Sequence, residues 1–333
     1  MIIEEKPGKN QNVGWWAARS KQLLDDQKSS WQFLQQNYLK LENANIREFD
    51  FDDFKIKVQH NSERIKSASI DLGKEAINSQ DCPLCIDNLP KEQDGLIYNK
   101  NYIILSNPYP IFEEHFTISK RKHKPQNIIG NFIDLLNLTK DLGSYYTLLY
   151  NGPRCGSSAP NHMHFQAGLK SKLPIENEIE IIKSKFSKFS IHHEKIEIRF
   201  IENYLRYAIY FESSNKGELI YAFKTFIKAF KRISRPDEEP MINIISKFSE
   251  DGKWSVIIFP RARHRPTQFF EEGDKKLLIS PAAVDLGGLI IAPREEDFNK
   301  INNSDIKNIF RQVTLTKEYF EYLKKKIGEV YIN

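Results

Sequence analysis

A chain of 333 residues with 40% hydrophobic and 12% aromatic content can bury a large core, and its length favours two domains or two similar halves. Its 49 Lys and Arg against 44 Asp and Glu are spread along the chain, and the net charge of +5 suits an anionic ligand while falling short of a nucleic-acid-binding surplus. Three cysteines exclude a disulfide framework, no apolar run approaches the roughly 18 residues of a membrane span, and MIIEEKPGKN lacks a signal-peptide pattern, so a soluble, cytoplasmic protein without a membrane partner is expected.

Taken in chain order, Leu24, Trp31, Leu34, Tyr38 and Leu41 recur mostly at steps of three and four, which predicts an N-terminal helical arm. FDFDDFKIKVQHNSERIKSAS alternates like a strand and then turns polar, and CPLC opens a Pro, Asn and Gly rich connection. The following residues read as a strand (96–106), a turn with Pro108 and Pro110, a strand (115–119), a helix (127–145), a strand (147–150), a Gly-rich loop and a strand (162–169), closed by Pro174. A looser version of the same order follows, with strands at 195–201 and 205–212, a helix at 218–233, and strands at 242–248 and 254–259 around the turn SEDGK. A strand in GGLIIAP and a helix at 304–327 finish the chain. The expected class is α+β, divided as residues 1–75 (arm and strand), 76–173 (first half) and 174–333 (second half).

In HMHFQAG the side chains of an extended strand alternate, so His162, His164 and Gln166 share one face while Met163, Phe165 and Ala167 share the other. Two imidazoles and an amide are costly to bury unpaired, so a metal or a polar ligand should meet that face. The preceding GPRCGSS carries Gly152, Gly156, Ser157 and Ser158, a composition that lets backbone N–H groups converge on an anion. An imidazole beside such a nest is placed to attack phosphorus. Cys82 and Cys85 have zinc-knuckle spacing, with His115, His123 and His162 available as further ligands; a redox role fits less well, because the pair precedes a Pro-rich loop and not a helix. Cys155 has no separate base and reads as a small loop side chain, and His192 and His193, in a charged stretch, read as surface residues.

HMHFQ after an Asn, Gly and Ser loop, with HFTISKRKHKPQ upstream, resembles the histidine-triad superfamily, specifically its nucleotidyl-transferring branch of galactose-1-phosphate uridylyltransferase, diadenosine tetraphosphate phosphorylase and the GDP-hexose phosphorylases. The resemblance covers about residues 58–168 and is weaker over 254–293, where it rests on FPRARHRP and SPAAVDLGG. It implies two histidine-triad-like halves, each a mainly antiparallel sheet with a packed helix. It implies His164 as the nucleophile on a nucleotide α-phosphate, Gln166 as the residue that hydrogen-bonds the intermediate, and Arg64, Asn107, Asn151, Gly156 and either Ser157 or Ser158 as substrate contacts. It also implies a structural zinc on Cys82, Cys85, His123 and His162, and no organic cofactor. The implied partners are a nucleotide sugar or dinucleotide and a phosphate or phosphorylated acceptor, with hydrolysis or non-catalytic nucleotide or RNA binding as the rival outcomes.

Two basic clusters remain. KRKHK lies inside the family motif and reads as mostly solvated, and neither cluster has the interleaved aromatics of a nucleic-acid surface. RARHR is expected on the second-half strand that corresponds by order to 162–169, where no HxH pair occurs; Arg263 and Arg265 are candidates for a sugar phosphate or inorganic phosphate, with one active site per chain.

Overall fold

The computed structural model describes residues 1–8, 14–65, 82–235 and 238–332. After a two-residue strand β1 (Ile2–Ile3), the predicted helical arm forms as two helices, α1 (Trp15–Ser30) and α2 (Gln32–Glu42). Trp31 breaks them by leaving the helical region at φ −119° and ψ 95° while its indole stays buried. The alternating stretch after them folds back on itself as β2 (Ile46–Phe51) and β3 (Phe54–His60), turned by Asp52 at φ 52°. The strand expected at 96–106 likewise divides into β4 (Gly95–Tyr98) and β5 (Tyr102–Ser106), because Asn99 and Lys100 both adopt positive φ, the turn whose twist matches a hairpin.

Next come β6 (His115–Lys120), a helix α3 (Phe132–Leu142), β7 (Tyr146–Asn151) and β8 (His164–Leu169). Strand β8 starts two residues later than expected: His162 sits in a turn, its N–H on the Ala159 carbonyl at 3.1 Å, so it does not share the strand face of His164. Pro174 does not close the unit. It opens α4 (Pro174–Lys185), where its missing N–H costs nothing in the first turn and the Glu176 carboxylate accepts the Leu173 N–H.

The remaining elements are β9 (Phe189–His193), β10 (Ile196–Ile201), β11 (Ala208–Ser213), α5 (Lys216–Lys231), β12 (Ile242–Phe248), β13 (Trp254–Pro260), α6 (Ala283–Leu286), β14 (Leu289–Ala292), α7 (Glu295–Lys300), α8 (Asn303–Val313) and α9 (Lys317–Ile332). The last expected helix is thus two, parted where Thr314 turns extended. RARHR is not on a strand: β13 ends at Pro260, and Arg261 makes only an isolated bridge to Thr314.

Eleven strands form one sheet in the order β1-β4-β5-β6-β8-β7-β12-β13-β11-β10-β9. At its centre β7 and β12 pair antiparallel, Asn151 opposite Asn243. Moving outward from that seam, each side meets the fourth, fifth, third, second and first strand of its own run of five, with a helix between the third and fourth. A separate sheet, β14-β3-β2, joins residues 57–60 in parallel to residues 289–292.

Met163, Phe165 and Ala167 face the helix side of the large sheet, in a cluster with Phe132, Leu136 and Phe226. His164 and Gln166 therefore face the other side, where the small sheet packs through Ile56, Val58 and Ile290 against Leu149, Ile257 and Phe259. No described helix is long and apolar enough to cross a membrane. The boundary expected near residue 75 lies outside the described residues.

Candidate active site and metal site

On that second face a cleft runs between the two sheets. Its floor is Asn151 at the end of β7, Gly156 and Ser157 from the loop, and Gln166 from β8. Its opposite wall holds Arg64, which follows β3, and His264, Arg265, Ser280 and Asp285, which lead into α6 and β14. The parallel pairing of β3 with β14 brings these wall residues together, continued by the Asn61 N–H on the Ala292 carbonyl at 3.0 Å.

His164 is buried at 2% exposure. Its Nδ1 lies 2.8 Å from the His162 carbonyl, which can only accept, so the proton is on Nδ1 and Nε2 keeps its lone pair. Burial pushes its pKa down to about 4, so the ring is neutral at physiological pH. Gln126 fixes the strand start: its Oε1 accepts the His164 N–H at 2.8 Å, and its Nε2 donates to the carbonyls of Asn151 and His164 at 2.9 Å each.

The orientation of Gln166 is set by His115. The Ile111 N–H donates to His115 Nδ1 at 3.2 Å, which leaves His115 Nε2–H to donate to Gln166 Oε1 at 3.0 Å. With its carbonyl oxygen so engaged, Gln166 presents its NH2 as a donor to whatever fills the cleft. Burial and the Arg64 charge push His115 down to about 3.

Ser157 is buried with a hydroxyl that has no partner among the described residues, whereas Ser158 is half-buried and does not line the cleft. The loop is held against the far wall. Gly156 takes φ +84° with its Cα against Ala282, and Asn151 Oδ1 accepts the Ala283 N–H at 2.8 Å and the Asn243 Nδ2–H at 2.7 Å. Arg261 is fully buried, and its guanidinium donates to the Asn243 side chain and to the carbonyls of Val313, Pro281, Arg263 and His264, so it organises the wall and does not face the cleft. Arg265 lies over the Phe269 ring at 4.1 Å and donates to Ser280 Oγ.

Arg64 reaches the cleft with one nitrogen on the Tyr109 carbonyl, and burial lowers it to about 10. Burial raises Asp285 to about 6 and, with the neighbouring Arg265 charge, lowers His264 to about 3. Two expected contacts fall elsewhere: Arg263 is exposed away from the cleft, and the Asn107 amide is spent on Thr117 and the Tyr109 N–H. Cys155 is buried and its thiol is pushed up to about 12, so it is not a nucleophile at neutral pH.

Behind β8, Cys82, Cys85, His123 and His162 place their ligand atoms within 4.8 Å of one another. The Sγ to Nδ1 separations are 3.2 Å for Cys82 to His162 and for Cys85 to His123, and 3.6 Å for Cys85 to His162. A tetrahedral zinc with ordinary bond lengths spaces sulfur and nitrogen about 3.5 Å apart. His162 Nε2 donates to the Lys120 carbonyl at 2.6 Å, which leaves Nδ1 free to ligate. The four residues therefore fit a zinc ion, while His115 is committed to Gln166. Sequence reasoning passed over Gln126, Ser280 and Asp285, although the first closes HFTISKRKHKPQ and the others lie in SPAAVDLGG.

Residues 23–169 match a domain of unknown function, DUF4922, and residues 181–332 match a GDPGP1-like C-terminal domain. No curated protein sequence matches the chain. Among solved structures, yeast Ap4A phosphorylase Apa2 in complex with AMP superposes with a TM-score of 0.59 at 15% identity, covering 89% of this chain and 96% of that one. The same enzyme in complex with Ap4A gives 0.57 at 14% identity, over 89% and 97%. The large sheet, the helices on it and the cleft belong to an Apa2-like fold.

Proposed function

We propose that this chain, which has the fold of the Ap4A phosphorylase branch of the histidine-triad superfamily and carries a GDPGP1-like C-terminal domain, is a nucleotidyltransferase of the phosphorylase type. Its substrate is a nucleoside diphosphate sugar or a dinucleoside polyphosphate, and its intermediate is a nucleotidyl-His164. The observation that carries this reading is the hydrogen bond from His164 Nδ1 to the His162 carbonyl, which leaves a neutral imidazole with an Nε2 lone pair to act as the nucleophile, two residues before Gln166, which lines the cleft.

In the first displacement the Nε2 lone pair forms a bond to the α-phosphorus while the bond to the leaving phosphate oxygen breaks, and that oxygen takes the electron pair. Gln166 NH2, the Ser157 hydroxyl and the loop N–H groups donate to the non-bridging oxygens, and Arg64 and Arg265 hold the remaining phosphate. In the second, an oxygen of inorganic phosphate or a phosphorylated acceptor attacks phosphorus, the P–N bond breaks, and His164 is restored. A zinc ion on Cys82, Cys85, His123 and His162 would fasten the turn whose His162 carbonyl orients the nucleophile. The matching strand succession on the two sides of the β7–β12 seam supports two histidine-triad-like halves, and the absence of an HxH pair from the second supports one active site per chain.

The test is incubation with a panel of nucleotide sugars and dinucleotides plus phosphate, followed by mass spectrometry of the His164 peptide. A nucleotidylated His164 that phosphate discharges is the expected result. Turnover that survives His164→Ala, or products that form equally well without phosphate, would sink the phosphorylase reading, the latter in favour of a hydrolase.

A further inference from the structure

The phosphate mechanism has no use for a carboxylate, yet Asp285 lines the cleft beside Arg64 and Arg265 and is the single acid among the described lining residues. Its side chain cannot swing away. Oδ2 accepts the Ala282 N–H at 2.8 Å and Oδ1 the Ile291 N–H at 3.0 Å, so the carboxylate is fixed to both ends of the segment that forms the far wall. The group is 5% exposed, and water therefore screens it poorly.

Resting on the reading of this cleft as a nucleotide phosphate site, we infer that Asp285 is a charge filter: it tolerates a phosphate carrying one negative charge and disfavours one carrying two. The α-phosphate of a diphosphate or polyphosphate substrate carries one charge, whereas a terminal phosphate monoester is a dianion above a pH of about 6. Arg64 and Arg265 attract both. Asp285 repels each unit of ligand charge, so it penalises a terminal phosphate dianion about twice as much as a singly charged α-phosphate in the same place; products that end in a terminal phosphate are therefore held less tightly relative to the substrate and released more readily. The residue acts by position and field, and need not touch the reacting atoms.

The experiment compares binding of two probes by calorimetry at pH 7.5, where Asp285 is ionised. One is whichever of AMP, GMP, UMP and CMP the wild-type chain binds best; the other is its phosphate methyl ester, which carries a single charge. Asp285→Asn is expected to tighten the ester on the order of tenfold and the monophosphate on the order of a hundredfold, because each unit of ligand charge about 10 Å away at an effective dielectric of about 20 contributes roughly one factor of ten. Equal tightening of both, or none, would overturn the filter while leaving the nucleotide site intact. Failure of the wild type to bind any nucleotide would overturn both.

A second measurement guards against a variant that does not fold. The ester keeps one charge from pH 5 to 8, so its affinity for the wild-type chain should fall as pH rises and Asp285 ionises near 6. Arg64, Arg261 and Arg265 face this group as cations throughout, and His115, His164 and His264 stay neutral at about 3, 4 and 3. Glu239, raised to about 7 by burial, sits behind the loop on Tyr150 and the Ile128 N–H, so the trend should persist in Glu239→Gln. A flat profile would count against the filter.

Discussion

Replacing Gly156 by alanine tests whether the loop between β7 and β8 is held where the cleft needs it. Gly156 adopts φ +84°, which costs an alanine about 1–2 kcal/mol. An added Cβ would also meet Ala282 Cβ at 2.6 Å, and Ala282 cannot retreat because its N–H is on Asp285, the next N–H is on Asn151, and the Pro281 carbonyl is on Arg261. Overpacking of this kind costs a further ~1–3 kcal/mol, for a total of about 2–5 kcal/mol. The chain supplies its own control in Gly252, at φ +81° in the hairpin between β12 and β13 with nothing among the described residues within 4 Å of the new methyl. Gly252→Ala should therefore lose only the backbone part, about 1–2 kcal/mol. Urea unfolding followed by tryptophan fluorescence measures both variants, with equal m-values as the check that the unfolded reference is unchanged. If Gly156→Ala proved no less stable than Gly252→Ala, the packing of the loop against Ala282 would be refuted.

Metal analysis of protein purified without chelator should find about one zinc per chain, and His162→Ala should lower that content and the melting temperature together; protein free of zinc would refute the site. Cys155 should resist iodoacetamide at pH 7.5 in the native chain and react only after unfolding, since its thiol is held near 12; rapid native labelling seen in the Cys155 peptide would contradict its burial. His115 is neutral in the fold down to about pH 3 but protonates near 6.5 when unfolded, so it contributes a loss of stability as pH falls between those values. His115→Gln should accordingly flatten the decline in unfolding free energy between pH 6 and 4 by roughly 1.4 kcal/mol per pH unit, and an unchanged slope would show that the ring is not held neutral.

The strand of His164 was legible because its information is local: alternation sends Phe165 and Ala167 to the core and His164 and Gln166 to the other face, and it misled only at His162, which lies before the strand begins. The candidate metal ligands came from a short spacing plus two histidines in family motifs, and the four side chains do converge. Boundaries failed where single residues decide the backbone. Asn99 and Lys100 at positive φ split one expected strand, and Trp31 splits one helix because its burial, not its propensity, sets the break. The far wall was hardest to read. Arg261 and Arg265 look alike in RARHR, yet one satisfies main-chain carbonyls in the interior and the other lines the cleft, and the difference depends on contacts with residues 280–281 and 313. Asp285 carries no spacing signal, since its partners are backbone groups of its own segment.

The parallel pairing of β3 with β14 also sets an order of events during synthesis. A nascent chain that has emerged through β8 already holds His164 and all four candidate metal ligands, but β7 still exposes the edge that β12 will cover, and Arg64 waits for a wall formed largely more than two hundred residues downstream. Such long-range closure is slow, and an open strand edge invites pairing with other chains in the interval. The strand that carries His164 is thus made early and the cleft beside it is completed last, which leaves the first half most in need of protection just before the second appears on the ribosome.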